Sequence, residues 1–164
     1  MRIENKSITI DYQVVESVDH LDEARFELIN AAKTASKLAY APYSNFYVGA
    51  AARLDNGVIT IASNKENASF PAGICAERNL VNHISDHHQG QVINSIAVIA
   101  DPQDFKLNEP VTPCGICRQV LSEVERLQKS KIEIILSGQT GKVLIFSSAA
   151  SLLPFEFYLS QLKK

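Results

Sequence analysis

The chain has 164 residues, the length of a single domain, and its content of 46% hydrophobic and 21% charged residues is ordinary for a globular protein. Its formal net charge is −2 and its pI is about 6.1, which argues against nucleic acid or an anionic membrane as a partner, because such binders carry a basic patch. The sequence has no apolar run of the roughly 18 residues that cross a membrane and no secretion signal at its start, so we expect a cytoplasmic protein.

The first part of the chain predicts a strand, a helix and a hairpin. Apolar and polar residues alternate over 8–16, which is the period of a strand, and apolar residues recur at helical spacing over 21–40. Two further strands are predicted at 47–54 and 58–63. They flank Asp-Asn-Gly at 55–57, a combination typical of a hairpin turn.

The second part of the chain alternates helices and strands. The predicted elements are, in chain order, a helix at 75–88, a buried strand at 92–100, a helix at 113–128 and strands at 131–137 and 143–147. Only about five residues join the last two strands, whereas a parallel crossover needs a dozen or more, so this pair is predicted to be antiparallel. The element order predicts an α/β fold with a mixed sheet and helices on both faces.

Three cysteines, Cys75, Cys114 and Cys117, are the chemically most informative residues. A C-x-x-C pair inside a cell is either a redox dithiol or part of a metal site. The redox interpretation leaves Cys75 unused, whereas a metal site uses all three thiols. Each lies at a predicted helix start, where the helix dipole and free N–H groups stabilise thiolates. Three thiolates favour zinc over magnesium or calcium, and a fourth, open position is typical of a catalytic site.

Charged residues next to the cysteines suggest further roles. Glu77 lies in the same first helical turn as Cys75, where its carboxylate can take a proton from a metal-activated water molecule. Taken alone, it is more often a glutamate that stabilises a helix start, but next to three thiols the proton-transfer role is favoured. Arg78 and Arg118 each follow a cysteine and are able to donate to thiolate sulfur, which offsets the negative charge of the site. The alternative for both arginines is a solvated surface side chain.

Five segments form a recognisable set: C-A-E-R at 75–78 and P-C-G-I-C-R-Q at 113–119, together with A-P-Y-S-N-F-Y-V-G-A-A at 41–51, N-K-E-N-A-S-F-P-A-G-I at 64–74 and L-L-P-F-E-F at 152–157. In these segments the chain resembles the small, tetrameric, zinc-dependent cytidine deaminases. The resemblance implies a three-layer α/β/α fold with a mixed five-stranded sheet. It divides the chain into a catalytic domain at 21–164 and an N-terminal strand extension at 1–20, which adds one strand.

The resemblance also implies an activity and a set of site residues. Water adds to C4 of the cytosine ring of cytidine or 2′-deoxycytidine, and ammonia leaves, a reaction of pyrimidine salvage. The implied residues are Cys75, Cys114 and Cys117 for one zinc ion per subunit, Glu77 as the proton shuttle, Asn64 and Glu66 for the ribose hydroxyls, Phe46 and the backbone N–H of Ala76 for the base, and Phe157 for the site of a neighbouring subunit in a homotetramer.

Three other functions agree less well with the sequence. The acidic pI and the antiparallel final strand pair oppose a deaminase that acts on polynucleotides. A deaminase of another aminated nucleoside or heterocycle is an alternative, although a heterocycle deaminase need not keep the predicted ribose pair. A non-catalytic zinc-stabilised binding module leaves Glu77, Asn64 and Glu66 unexplained. Phe70, Ala62 and Asn79-Leu80 differ from residues frequent in the family, which bears on fine specificity and not on the reaction class.

Overall fold

The computed structural model describes residues 3–107 and 109–159. Within that part of the chain, one mixed sheet of six strands carries three α-helices. The strands are β1 (Gln13–Val15), β2 (Phe46–Leu54), β3 (Ile59–Ser63), β4 (Ile93–Pro102), β5 (Glu133–Ser137) and β6 (Val143–Phe146), and the helices are α1 (Glu23–Ser36), α2 (Ala76–His87) and α3 (Gly115–Gln128). No helix among the described residues is both long and apolar enough to cross a membrane.

The strands lie in the order β1-β6-β5-β4-β2-β3. Only β4 and β5 run parallel, and α3 forms the crossover between them; the other neighbouring pairs are antiparallel. The predicted antiparallel pairing of the last two strands, β5 and β6, is therefore confirmed. The predicted fold class is confirmed as well, because five strands form the mixed sheet and β1 adds a sixth at its edge.

Alternation along the strands divides the core into two halves. Ala50 and Ala52 of β2 face α2 and α3, whereas Ala51 between them faces α1. The same alternation places Ile96 in one half of the core and Ala97 in the other. Because successive side chains of a strand point to opposite faces, one buried sheet supports two helical layers. The three-layer α/β/α arrangement follows.

Helix α1 packs unusually close to β2. A Cβ added to Gly49 would lie 1.9 Å from the carbonyl oxygen of Ala32 and 2.4 Å from the backbone nitrogen of Ser36. Only glycine permits this approach. The helix is also tied to β5, because the guanidinium of Arg25 donates to both carboxylate oxygens of Glu133 at 3.0 and 2.6 Å.

The N-terminal strand is shorter than predicted. The alternating pattern covers residues 8–16, but only Gln13–Val15 pair with β6. Strand β6 has four residues, so it offers few backbone groups for a longer partner. Ile8 and Ile10, whose alternation led to the longer prediction, are 55% and 40% exposed.

Two predicted helices also differ at their ends. The helix predicted at 21–40 ends at Ser36, and the helix predicted from residue 113 begins at Gly115. Cys114 has an extended backbone and is the N-cap of α3, which delays the start of that helix. Residues 1–2 and 160–164, the outer ends of the two predicted domains, lie outside the described residues.

Candidate active site

The three cysteines meet at the N-terminal ends of two helices. Cys75 is the N-cap of α2, and Cys114 is the N-cap of α3, with Cys117 in the first turn of the same helix. The Sγ atom of Cys114 lies 4.0 Å from that of Cys75 and 3.6 Å from that of Cys117. All three sulfur atoms lie within 4.8 Å of one another. The fold therefore brings together ligands from two helices that are distant in sequence.

This cluster fits a zinc ion. Zinc bound tetrahedrally with Zn–S bonds of about 2.3 Å separates its sulfur ligands by about 3.8 Å, close to the distances between these thiols. Cys117 is buried, Cys75 is half-buried and Cys114 is exposed. Three soft ligands are too few to close a tetrahedral site, and Cys75 and Cys114 also line a cavity. The open side of the cluster therefore faces that cavity.

The titratable groups of the cluster affect one another. The neighbouring thiol of Cys117 lowers the pKa of Cys75 to about 6, and the neighbouring Cys75 raises the pKa of Cys117. The positive charge of Arg78 also lowers the pKa of Cys75. Glu77 is only 5% exposed, and burial raises the pKa of its carboxyl group. A raised carboxyl pKa favours a group that exchanges protons near neutral pH.

A cavity of about 310 Å³ opens beside the sulfur cluster, within the usual range of small-molecule sites. Its lining includes seven of the residues predicted from the sequence: Phe46, Asn64, Glu66, Cys75, Ala76, Glu77 and Cys114. Ala76 is fully buried at the first position of α2, where backbone N–H groups have no partner within the helix. The cavity thus brings sulfur, carboxylate, amide and aromatic groups to one volume.

The side chain of Asn64 is part of the wall of this cavity. Its Oδ1 atom accepts from the backbone N–H of Val48 at 2.8 Å, and its Nδ2 atom donates to the carbonyl oxygen of Phe46 at 2.9 Å. An amide has two N–H donors and two acceptor lone pairs, so one of each remains for a ligand. Asn64 therefore fixes the start of β2 while it lines the cavity.

Glu66 holds the loop that precedes β2. Its carboxylate accepts from the Ser44 hydroxyl at 2.5 Å and from the backbone N–H groups of Tyr43 and Ser44 at 2.9 and 3.4 Å. The bond from the Ser44 hydroxyl is the largest cause of the lowered pKa of Glu66. The residue is therefore a fixed carboxylate at the edge of the cavity.

Arg118 is hydrogen-bonded to the segment that precedes Cys114. Its guanidinium donates to the carbonyl oxygens of Pro113 at 2.7 Å and Leu152 at 3.3 Å and to the Thr112 hydroxyl at 2.8 Å. These acceptors are oxygen atoms, not the sulfur atoms that the sequence suggested. Arg118 thus braces the residues just before Cys114 against the C-terminal segment.

Phe157 lies outside the cavity lining. Its side chain is 59% exposed, while its backbone is held on α3 by both ends of one amide. The backbone N–H of Phe157 donates to Oε1 of Gln119 at 3.2 Å, and Nε2 of Gln119 donates to the Phe157 carbonyl at 2.6 Å. The ring is therefore displayed at the surface on a fixed stretch of backbone.

Sequence reasoning missed several lining residues. Val98 and Ala100 of β4 and Thr112 line the cavity, as does Lys65 between the two predicted ribose residues. Thr112 lies two residues before Cys114, and Lys65 lies inside the segment 64–74, so their positions in the sequence could have indicated both residues. The sequence carries no such signal for Val98 and Ala100, because buried strand residues have the same pattern whether or not they line a cavity.

Comparisons with known proteins agree with this geometry. Residues 22–132 match the family model "Cytidine and deoxycytidylate deaminase zinc-binding region". The chain is 41% identical over 97 residues to a cytidine deaminase of Halalkalibacterium halodurans, which covers 59% of this chain and 69% of that protein. It is 40% identical over 98 residues to a cytidine deaminase of Sporosarcina psychrophila, covering 59% and 67% of the two chains.

Solved structures show the same likeness over more of the chain. A crystal structure of cytidine deaminase from Burkholderia pseudomallei superposes with a TM-score of 0.69 at 38% identity, over 80% of this chain and 97% of that one. A crystal structure of cytidine deaminase from Mycobacterium tuberculosis superposes with a TM-score of 0.65 at 30% identity, over 84% and 100% of the two chains.

Proposed function

This chain belongs to the cytidine and deoxycytidylate deaminase family and is a zinc-dependent cytidine deaminase, and we propose that Cys75, Cys114, Cys117 and Glu77 carry the reaction. The observation that carries the proposal is the cluster of three cysteine sulfurs beside the buried Glu77, at the end of one cavity. We propose that the catalytic domain spans 21–164 and that residues 1–20 are an extension to it.

Cys75, Cys114 and Cys117 hold the metal. When bound, zinc supplies a Lewis acid that lowers the pKa of a water molecule from about 15.7 toward 7. The helix starts at Cys75 and Cys114 favour the thiolate forms that bind it. Arg78 offsets negative charge near Cys75, and Arg118 keeps the segment before Cys114 in place.

Glu77 moves the proton. Its buried carboxylate carries two protons in turn. The first passes from the attacking water to N3 of the ring, and the second passes from the hydroxyl added at C4 to the departing amino group, so cytidine and water give uridine and ammonia. Burial supports this role, because it raises the carboxyl pKa and lets the group hold each proton between taking and delivering it.

The remaining lining residues orient the nucleoside. Glu66 and the remaining N–H donor and acceptor lone pair of Asn64 bind ribose hydroxyls. A site built for hydroxyls discriminates against analogues that lack them. The ring of Phe46 packs on the base, and the backbone N–H of Ala76 donates to the O2 atom of the base, a position supported by its burial at the start of α2.

Four further proposals concern the second substrate, the metabolic role, the cellular location and the oligomeric state. We propose that 2′-deoxycytidine is also a substrate and that the reaction serves pyrimidine salvage. A cytoplasmic location suits an enzyme that needs three reduced thiols, because the cytosol keeps thiols reduced. A homotetramer is proposed because Phe157 is exposed away from the cavity of its own subunit, on a backbone that Gln119 fixes.

Metal analysis combined with a substrate panel tests the function. The purified protein is expected to contain one zinc ion per chain and to convert cytidine and 2′-deoxycytidine, which is followed by the change in ultraviolet absorbance. Glu77→Gln is expected to retain zinc and to lose about 10²- to 10⁴-fold in kcat, because general acid–base catalysis contributes that much. Full activity in Glu77→Gln, or full activity without metal, would overturn the mechanism.

A further inference from the structure

The segment that follows β4 carries an aromatic residue beside the cavity. The ring of Phe105 stacks on the ring of Phe46, with centroids 6.4 Å apart and planes 25° from parallel. Phe46 lines the cavity, whereas Phe105 is not among the lining residues and is 52% exposed. The two rings come together because β4 pairs with β2 up to its last residue, Pro102, which lies opposite Phe46.

One end of this segment is bonded to the loop before β2. The backbone N–H of Gln103 donates to the carbonyl oxygen of Asn45 at 3.2 Å, and Nδ2 of Asn45 donates to the Asp104 carboxylate at 3.1 Å. Asn45 has a φ of 51°, a left-handed conformation that asparagine tolerates better than most residues. The residue next to Phe105 is therefore fixed.

The turn between β5 and β6 is bonded to the end of β4 and to Leu107, on either side of Phe105. The side chain of Gln139 donates to the Asp101 carboxylate at 2.7 Å and to the Pro102 carbonyl at 2.9 Å, and it accepts from the backbone N–H of Leu107 at 3.4 Å. The carbonyl oxygen of Leu107 lies 3.3 Å from where a Cβ of Gly138 would be, so the segment packs closely on that turn. Phe105 is thus held on both sides.

We propose that Phe105 is a positioning residue for the nucleoside base, acting through Phe46. It supports the Phe46 ring from behind, so that the ring presents a fixed face to the base. Without it, Phe46 would have to be ordered each time a substrate binds. This inference rests on the proposed function, in which Phe46 packs on the base.

Phe105 therefore contributes mainly to binding. An aromatic pair contributes roughly 0.5–1.5 kcal/mol beyond its buried area, which corresponds to a KM change of about twofold to twelvefold. Because Phe105 acts on the base through Phe46, kcat is expected to change less than about twofold. Cytidine and 2′-deoxycytidine are expected to be affected equally, because the aromatic pair acts on the base they share.

The experiment compares four zinc-loaded variants by steady-state kinetics with both nucleosides. Phe105→Ala is expected to raise KM, Phe105→Tyr to restore it because the ring is kept, and Gln139→Ala to raise it in the same direction because the segment is released. Phe26→Ala, an exposed aromatic residue on α1, is the matched control. Zinc content and thermal unfolding of each variant exclude loss of fold as the cause.

Three results separate the possible outcomes. An unchanged KM in Phe105→Ala, with a wild-type enzyme that turns over cytidine, overturns this inference alone. A wild-type enzyme that does not turn over cytidine overturns the proposed function, and this inference with it. A kcat loss that Phe105→Tyr does not restore assigns Phe105 a purely structural role and also overturns the inference.

Discussion

The N-terminus of α1 and the N-termini of α2 and α3 are built differently, although all three helices pack on one sheet. Helix α1 begins at Asp22, whose Oδ1 atom accepts from the backbone N–H of Arg25 at 2.9 Å. Helices α2 and α3 begin at Cys75 and Cys114, and neither side chain caps its helix with a hydrogen bond. One helix start is therefore capped for stability, and two are left open to a ligand.

This difference shows that the starts of α2 and α3 lack a stabilising cap and present thiols instead. A Ser, Thr, Asp or Asn at an N-cap stabilises a helix by about 1 kcal/mol relative to alanine. At Cys75 and Cys114 that contribution is missing, and thiols occupy the positions where the helix dipole favours an anion. In the proposed mechanism, the layer with α2 and α3 carries the reaction, and the layer with α1 supports the sheet. Variants in the two layers should therefore separate activity from stability.

The largest effect is expected when a metal ligand is converted into a good N-cap. Cys114→Ser should remove zinc and lower activity by more than about 10³-fold, because water without a metal has a pKa of about 15.7. The metal-free variant should nevertheless be up to about 1 kcal/mol more stable than the metal-free wild-type protein, because serine caps α3. Zinc analysis, turnover of cytidine and urea unfolding in chelator measure the three quantities. Retention of zinc and activity would contradict the assignment of the ligand.

The second largest effect concerns the supporting layer. Gly49→Ala should destabilise the protein by about 1–3 kcal/mol or more, because the new Cβ would overlap the carbonyl group of Ala32 in α1. The kcat per bound zinc of the folded fraction should remain near that of the wild-type protein. Gly115→Ala is the matched control in the other layer: a Cβ there meets nothing within 4 Å, so stability should not fall. Equal stability of the two variants would argue against close packing of α1.

A smaller effect is expected at the edge of the cavity. Glu66→Gln should raise the KM for cytidine about tenfold, because hydrogen bonds to charged groups contribute about 1.5–3 kcal/mol and the variant loses its charge. It also loses part of its hold on Tyr43 and Ser44. The exposed Glu123→Gln on α3 removes the same charge elsewhere and should leave KM unchanged. Steady-state kinetics with cytidine measures the KM of each variant. Equal KM values in both variants would exclude Glu66 from substrate binding.

The smallest effect concerns the capped helix start. Asp22→Ala should destabilise the protein by about 1 kcal/mol, whereas Asp22→Asn, which also caps well, should cost less. Activity per bound zinc should be the same in both variants, because α1 lies on the other face of the sheet. Urea unfolding at neutral pH measures the difference.

The same residue gives a dependence on pH. The backbone N–H of Arg25 is the largest cause of the lowered pKa of Asp22. Because the native pKa lies below the unfolded one, the contribution of the carboxylate is complete above an unfolded pKa of about 3.9 and is lost as pH falls through the native pKa. The stability difference between the wild-type protein and Asp22→Asn should therefore be constant from neutral pH down to about pH 5 and shrink in more acidic solution.

Local sequence patterns were enough to predict the order of the helices and strands and the chemical type of the metal ligands. Helical spacing and alternation predicted each helix and strand, with errors of a few residues at the ends. A C-x-x-C and a third cysteine indicated zinc, because no other use accounts for all three thiols. In the structure, Cys75, Cys114 and Cys117 form one cluster that could hold a metal ion.

Other features depend on partners that no local pattern reveals. The length of β1 is set by the four residues of β6, and the hydrogen bonds of Arg118 depend on where Leu152 lies after the chain folds back. The support of Phe46 by Phe105 follows from the pairing of β2 with β4. In the sequence alone, Phe105 is one more aromatic residue in a loop.

The sequence by itself thus determined which groups this protein uses, because the type of a side chain fixes its chemistry and a short repeat fixes its local backbone. Only the tertiary structure decided which of those groups share a volume. Residues 39 positions apart, such as Cys75 and Cys114, meet through strand pairing and helix packing. That contact depends on hydrogen bonds and buried surface spread over the whole sheet, which no single segment contains.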